Sequence, residues 1–256
     1  MSEYVLTEVS GGVLRITLNR PEKRNALSLD MYSAIADALE RSESDPGIRA
    51  VVLGGTGDCF TSGNDLVDFL NDPPRGEDRP AARFLAGISR ASKPLIAAVN
   101  GPAIGVGTTM LLHCDLVYAG TGARFQLPFV NLGVVPEAGS SVLLPALAGH
   151  QRAAELLLLG EPFDAETAHE VGMVNRVLPD EEVAELAMAV ARKLAAKPPE
   201  ALRLAKMLIK RSQTEAVREA MRVEGEHFTE RLASAEAREA MQAFLERRQP
   251  DFSRSG

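Results

Sequence analysis

Short apolar runs alternate along the chain with segments whose apolar residues recur every three or four positions. Residues 4–9 and 13–18 alternate apolar with polar around Ser10-Gly11-Gly12, which predicts a β-hairpin. Residues 50–53 and 95–99 are unbroken apolar runs that end near glycines and suit buried strands. After the second run, Asn100-Gly101-Pro102 can continue neither a ladder nor a helix, so the chain turns at Gly101. A helix carrying Met110, Leu111 and Leu112 follows, flanked at its start by Gly105 and Gly107. Asp115 falls at its far end, about 13 Å from Val106 at 1.5 Å per residue.

Elsewhere, Ser28 predicts an N-cap for a helix ending at residue 38, with Met31, Ile35 and Leu39 on one face. Residues 83–91 read as a helix, 115–119 and 123–126 as strands, 140–147 and 151–159 as helices, and 174–178 as the last strand. From Asp180 onward only helical periodicity remains, which puts a boundary near 197 and divides residues 1–197 from 198–256. In that tail Leu202, Ala205, Leu208 and Ile209, then Ala220, Val223, Phe228, Leu232, Met241 and Leu245, form apolar stripes on charged helices. Residues 71–80, polar and proline-broken, read as a linker, either a lid over a ligand or a plain surface loop.

Composition narrows the function classes. A length of 256 residues with 45% hydrophobic and 25% charged content suits one large core and an appendage, and no run is long enough for a membrane span. The net charge of −7 argues against general nucleic-acid affinity. Cys59 and Cys114, both in apolar surroundings, suit reduced thiols. No Cys or His pair has a ligand spacing, so no metal is expected. With no signal or transit peptide and no peroxisomal address in Arg-Ser-Gly, the expected compartment is the cytoplasm.

The glycines carry the candidate chemistry. Residues 49–66, Arg-Ala-Val-Val-Leu-Gly-Gly-Thr-Gly-Asp-Cys-Phe-Thr-Ser-Gly-Asn-Asp-Leu, repeat the pattern of a strand, a glycine turn and a short helix from Asp65. Two such corners can aim two N–H donors at one oxygen. Ser62-Gly63-Asn64-Asp65-Leu66, Asn100-Gly-Pro-Ala-Ile-Gly-Val-Gly107 and Leu132-Gly-Val-Val-Pro-Glu-Ala-Gly-Ser-Ser141 resemble the motifs of the crotonase, or enoyl-CoA hydratase/isomerase, superfamily.

The resemblance implies an α/β fold, the crotonase-like repeated ββα superhelix, with a C-terminal all-helical oligomerisation segment that assembles as a homotrimer or a dimer of trimers. It implies an acyl-CoA thioester as substrate and no cofactor apart from the coenzyme A that the substrate carries. The N–H groups of Asn64 and Val106 would hold the thioester oxygen, and Glu137 would be the catalytic acid-base. The basic loop 19–27 would contact coenzyme A through Lys23, Arg24, Ala26 and Leu27, joined by Ser62, Gly63, Asp65, Leu66 and Gly105. For Lys23 and Arg24 a solvated turn is the alternative.

Between residues 94 and 147 the acids are Asp115 and Glu137 alone. The positions matching the two glutamates that a hydratase of this superfamily uses are Thr109 and Phe129, so the closest branch is the Δ3,Δ2-enoyl-CoA isomerases. One carboxylate there moves a proton from C2 to C4. Apolar Phe129, Val134 and Val135 are expected to raise the pKa of Glu137. Residual hydration, another crotonase-type reaction and a silent acyl-CoA binder stay open. So does a capping role for Glu137, which precedes a helix.

Overall fold

The structure is a computed structural model that describes residues 2–65, 80–246 and 248–254. The 71–80 linker and Leu66 therefore lie, except for Pro80, outside the described residues. The hairpin forms as expected from β1 (Val5–Ser10) and β2 (Val13–Leu18). Ser28 caps α1 (Leu29–Ser44) by accepting from the Met31 N–H. This helix runs past residue 38 because Leu39 and Ser42 prolong its buried face.

Next come β3 (Ala50–Gly55), α2 (Pro80–Arg90), β4 (Leu95–Val99), the two-residue strand β5 (Ala103–Ile104) and α3 (Val106–Thr109). Here one expectation fails. The central helix is only four residues long, continues as a 3-10 turn over Met110–His113, and is extended at Cys114, so Asp115 is not on it. Thr108 and Thr109 are β-branched, and the Thr108 hydroxyl donates to the Ala103 carbonyl rather than standing free, which favours a short tight turn.

The chain continues through β6 (Leu116–Gly120), β7 (Arg124–Gln126), α4 (Ser140–Ala148), α5 (His150–Ala154), β8 (Phe163–Asp164), α6 (Ala165–Glu170), β9 (Arg176–Leu178) and α7 (Val183–Ala195). The helix expected at 151–159 is α5 followed by a π-type turn over Glu155–Leu159. The main sheet has the order β1-β2-β3-β4-β6-β9, parallel except for the hairpin, and β5-β7-β8 form a second, small sheet.

Both faces of the main sheet are covered, which is why its central strands lack alternation. One face, with Leu14, Ile16, Val51, Leu53, Leu95 and Val99, belongs to the same core as α1 and α2. The other, with Val52, Ile96 and Ala98, lies under Val183, Ala187, Ala191 and Ala195 of α7.

The tail is α8 (Pro199–Lys210), α9 (Thr214–Leu232) and α10 (Ala235–Glu246). Among the described residues no helix is long and apolar enough to cross a membrane. Ala237 and Met241 of α10 join the main core, and Phe228 and Leu232 of α9 pack against it. Leu204, Met207, Leu208 and Ile209 of α8 stay exposed.

Lys206, 7% exposed, locks α8 to the sheet, its Nζ donating to Asp115 Oδ2 at 2.7 Å and to the Lys93 carbonyl at 2.6 Å. Asp115 Oδ2 also accepts the Leu95 N–H at 2.7 Å, at the entrance to β4. Lys206→Met is expected to cost about 2–3 kcal/mol in urea unfolding, because it leaves a half-buried carboxylate short of its counter-charge. An unchanged midpoint would mean that the pair contributes nothing.

Candidate functional site

Because β2, β3 and β4 are parallel, their C-terminal ends at Leu18, Gly55 and Val99 feed loops on one edge of the sheet, the place where open parallel sheets bind ligands. The loops are stitched together by backbone bonds. Ser62 N donates to the Arg24 carbonyl at 3.0 Å, Leu27 N to Gly63 O at 2.8 Å, and Asp65 N to Leu27 O at 3.0 Å. Thr61 N donates to Pro102 O, and Ile104 N returns a bond to Thr61 O. The Arg20 guanidinium reaches Asp65 Oδ2 at 2.8 Å.

Ala26, Leu27, Ser62, Gly63, Asn64 and Asp65 are thus brought onto one strip that adjoins Gly105 and Val106. Lys23 and Arg24 stand exposed at its start, after a 3-10 turn over Pro21–Lys23.

Two glycines let the loops approach. A Cβ on Gly63 would sit 2.7 Å from the Ile104 carbonyl oxygen, and one on Gly107 would sit 2.5 Å from Thr61 Cγ2, distances no side chain tolerates. Asn64 follows the first glycine and Val106 precedes the second. Val106 opens α3, so its N–H has no acceptor within the helix. With only four residues in α3, a helix dipole adds less here than a long core helix would.

Glu137 stands in the loop before α4, three positions after buried Val134 and eight after buried Phe129. Thr109, fully buried on α3, donates its hydroxyl to Glu137 Oε1. Burial pushes the Glu137 carboxyl up from 4.5 to about 7, the Thr109 bond pulls it down, and the charge of Glu224 pushes it up. Burial wins, in the direction expected from its apolar neighbours. Thr109 also has the Val106 carbonyl 3.4 Å from its hydroxyl, so one side chain spans from the second glycine loop to the acid.

The three groups singled out in the sequence are linked by residues that it did not mark. Tyr32 of α1, 2% exposed, donates its hydroxyl to Asn64 Oδ1. Burial, then the field of Glu137, holds the Tyr32 phenol well above 10. His113, buried at the end of the 3-10 turn, has its Nε2 2.6 Å from the Ala138 carbonyl. Burial depresses this imidazole from 6.5 to about 4, so it is neutral at pH 7 and its Nε2–H is the donor.

Glu224 of α9, 7% exposed, accepts from Gly139 N at 2.6 Å, from Ser141 N at 2.9 Å and from the Ser141 hydroxyl. Only the i, i+3 and i, i+4 apolar pattern around residue 224 hints that this face of α9 is turned inward. Among the described residues no group of three His, Cys, Asp or Glu could hold a metal ion.

The arrangement can hold an anionic oxygen with peptide N–H groups and exchange protons through one carboxyl poised near neutrality. Among curated proteins, the chain is 38% identical over 262 residues to the 1,2-epoxyphenylacetyl-CoA isomerase of Escherichia coli, covering 99% of both. It is 36% identical over 255 residues to the 2,3-dehydroadipyl-CoA hydratase of the same organism, covering 98% of this chain and 99% of that one. Among solved structures, an enoyl-CoA hydratase/isomerase from Pseudoalteromonas atlantica superposes with a TM-score of 0.95 at 45% identity, over 98% of this chain and all of the other, so the fold is crotonase-like. The enoyl-CoA hydratase/isomerase family model matches residues 8–255, and the chain belongs to that family of acyl-CoA-processing enzymes.

Proposed function

We propose that the protein isomerises 3-enoyl-CoA thioesters to 2-trans-enoyl-CoA, with Glu137 as the single proton carrier. The observation that carries this reading is the contact of Glu137 with Thr109: where water addition would need a second acid, the base meets a hydroxyl. Phe129, at the other position matched to a hydratase glutamate, is buried and apolar. The relatives include both an isomerase and a hydratase, so the acids rather than the names favour isomerisation.

In this mechanism the Glu137 carboxylate takes a proton from C2, and the C–H electrons pass into the thioester as a dienolate. The Asn64 and Val106 N–H groups stabilise its oxygen, each such donor being worth roughly 3–4 kcal/mol at the transition state. Glu137 then returns the proton to C4, and the double bond moves from the 3 to the 2 position. A carboxyl near 7 serves both steps, since it accepts and donates at neutral pH with little bias.

Lys23 and Arg24, exposed on the loop that pairs with residues 62–65, support a role in meeting the phosphates of coenzyme A. On this reading no cofactor is needed beyond the coenzyme A of the substrate, and the enzyme works in the cytoplasm. Residues 198–256 then form the segment through which a homotrimer or dimer of trimers assembles. The exposed Leu204, Met207, Leu208 and Ile209 support that assembly.

The protein incubated with a 3-enoyl-CoA ester is expected to generate the ultraviolet absorbance of the conjugated thioester. Crotonyl-CoA should be hydrated at least about 100-fold more slowly, the scale of one missing acid-base group. Comparable rates on the two substrates would establish hydration and remove the single-acid mechanism. Binding without turnover of either would make the protein an acyl-CoA binder.

A further inference from the structure

Glu137 is followed by two left-handed residues, Ala138 at φ 60° and Gly139 at φ 73°. For alanine that region is strained, and the surroundings must impose it. They do so through a single peptide plane. The carbonyl of Ala138 and the N–H of Gly139 are the two poles of one peptide group. His113 Nε2–H holds the first at 2.6 Å and Glu224 Oε2 holds the second at 2.6 Å. The other oxygen of Glu224 takes Ser141 N–H at 2.9 Å, so one carboxylate bridges the turn and the first residues of α4.

The backing is close. A Cβ on Gly139 would lie 3.1 Å from Val217 and 3.4 Å from Met221, both on α9 with Glu224. His113 is itself tied to the tail, since Lys210 Nζ donates to its carbonyl at 2.8 Å.

We propose that Glu224 is a positioning residue for the base: with His113 it clamps the 138–139 peptide at both ends, fixes the strained turn that aims Glu137, and sets a negative charge behind it. The proposal rests on Glu137 being the base. It gives the C-terminal helical segment a part in the chemistry, because the carboxylate comes from residue 224 and the turn from residue 138.

The charged or titratable groups facing this region are few among the described residues. Tyr32 on α1 and Glu224 on α9 interact with Glu137 through their fields, and Thr109 on α3 supplies a neutral hydroxyl. His113, with Lys206 and Lys210 of α8 acting on it, is neutral at working pH. Of these, Glu224 is the group whose negative charge opposes ionisation of Glu137.

The test compares Glu224→Gln with Glu137→Gln in the full-length protein, measuring kcat, KM and the pH profile of kcat/KM for a 3-enoyl-CoA ester. Gln is the same size and keeps an acceptor, but it turns an amide N–H toward one of the two backbone donors and removes the charge. Glu224→Gln is expected to lower kcat about 10-fold with KM within about twofold. The acid limb of the profile should move to lower pH, because the base ionises more readily without the opposing charge.

Ser141→Ala, which removes one donor to Glu224 and leaves its charge, should lower kcat about twofold to threefold and leave the acid limb in place. It keeps the test open if Glu224→Gln folds poorly by circular dichroism. An acid limb that moves in Ser141→Ala, or a Glu224→Gln protein with unchanged kcat and profile beside an inactive Glu137→Gln, would overturn the role of Glu224 alone. An active Glu137→Gln would overturn both it and the proposed function.

Discussion

Glu137→Gln is expected to lower kcat for 3-enoyl-CoA isomerisation at least about 100-fold, to leave acyl-CoA affinity within a few-fold, and to make the fold more stable above pH 7. The kinetic part follows from removing the carboxyl that meets the Thr109 hydroxyl, whose bond to the side-chain oxygen survives in Gln. The stability part follows from linkage. The Glu137 carboxyl sits near 7 in the folded protein against an ordinary 4.5. Below pH 4.5 it is protonated in both states and nothing is lost. Between 4.5 and 7 the unfolded chain ionises while the folded one resists, so folding stability falls as pH rises, and above 7 the whole penalty is present.

At about 1.4 kcal/mol per pH unit, the penalty reaches roughly 3 kcal/mol. Urea unfolding of the two proteins should give nearly coincident midpoints at pH 4 and a clear advantage for Glu137→Gln at pH 8.5. An advantage equal at both pH values would show that burial does not hold the carboxyl up.

A chain cut after residue 197 should have no turnover and no cooperative melting transition. The cut removes Lys206 from Asp115, Glu224 from Gly139 and Ser141, and Ala237 and Met241 from the main core. It also uncovers Gly133, whose added Cβ would lie 2.7 Å from the backbone of Ala237, so tightly does α10 seal the loop before Glu137. Each loss costs on the order of 2–3 kcal/mol, while a domain has about 5–15 kcal/mol in total. A truncated protein that melts cooperatively and isomerises 3-enoyl-CoA would show that residues 198–256 serve assembly alone.

What could be read from the sequence was whatever is encoded locally. An apolar run such as residues 95–99 has few alternatives to a buried strand, and Ser28 marks the start of its helix because the capping bond spans only three residues. Gly63 and Gly107 were legible as turn residues, although the reason for them, close approach of one loop to another, lies in the fold.

The sequence predicts too long a central helix because Met110, Leu111 and Leu112 fit a helix as well as they fit the observed 3-10 turn. Strand β8 has two residues and hence no period to detect. The residues that hold the site were invisible for a different reason. Tyr32, His113 and Glu224 act on groups 32, 25 and 85 positions away, and around Glu224 the apolar spacing of its helix face says only that the face turns inward, not what the carboxylate meets.

The two groups proposed to receive the thioester oxygen, at Asn64 and Val106, are peptide N–H groups, which every amino acid but proline possesses. A point mutation at either position to anything but proline changes the side chain without deleting a donor. Selection acting on such a chain finds the anion-binding half of the reaction nearly immutable and the proton-moving half freely replaceable, since the latter hangs on side chains such as those at 109, 129 and 137. A lineage built this way would diversify by relocating its acids around a constant oxygen site, so that relatives sharing one intermediate part company only in where the proton goes next.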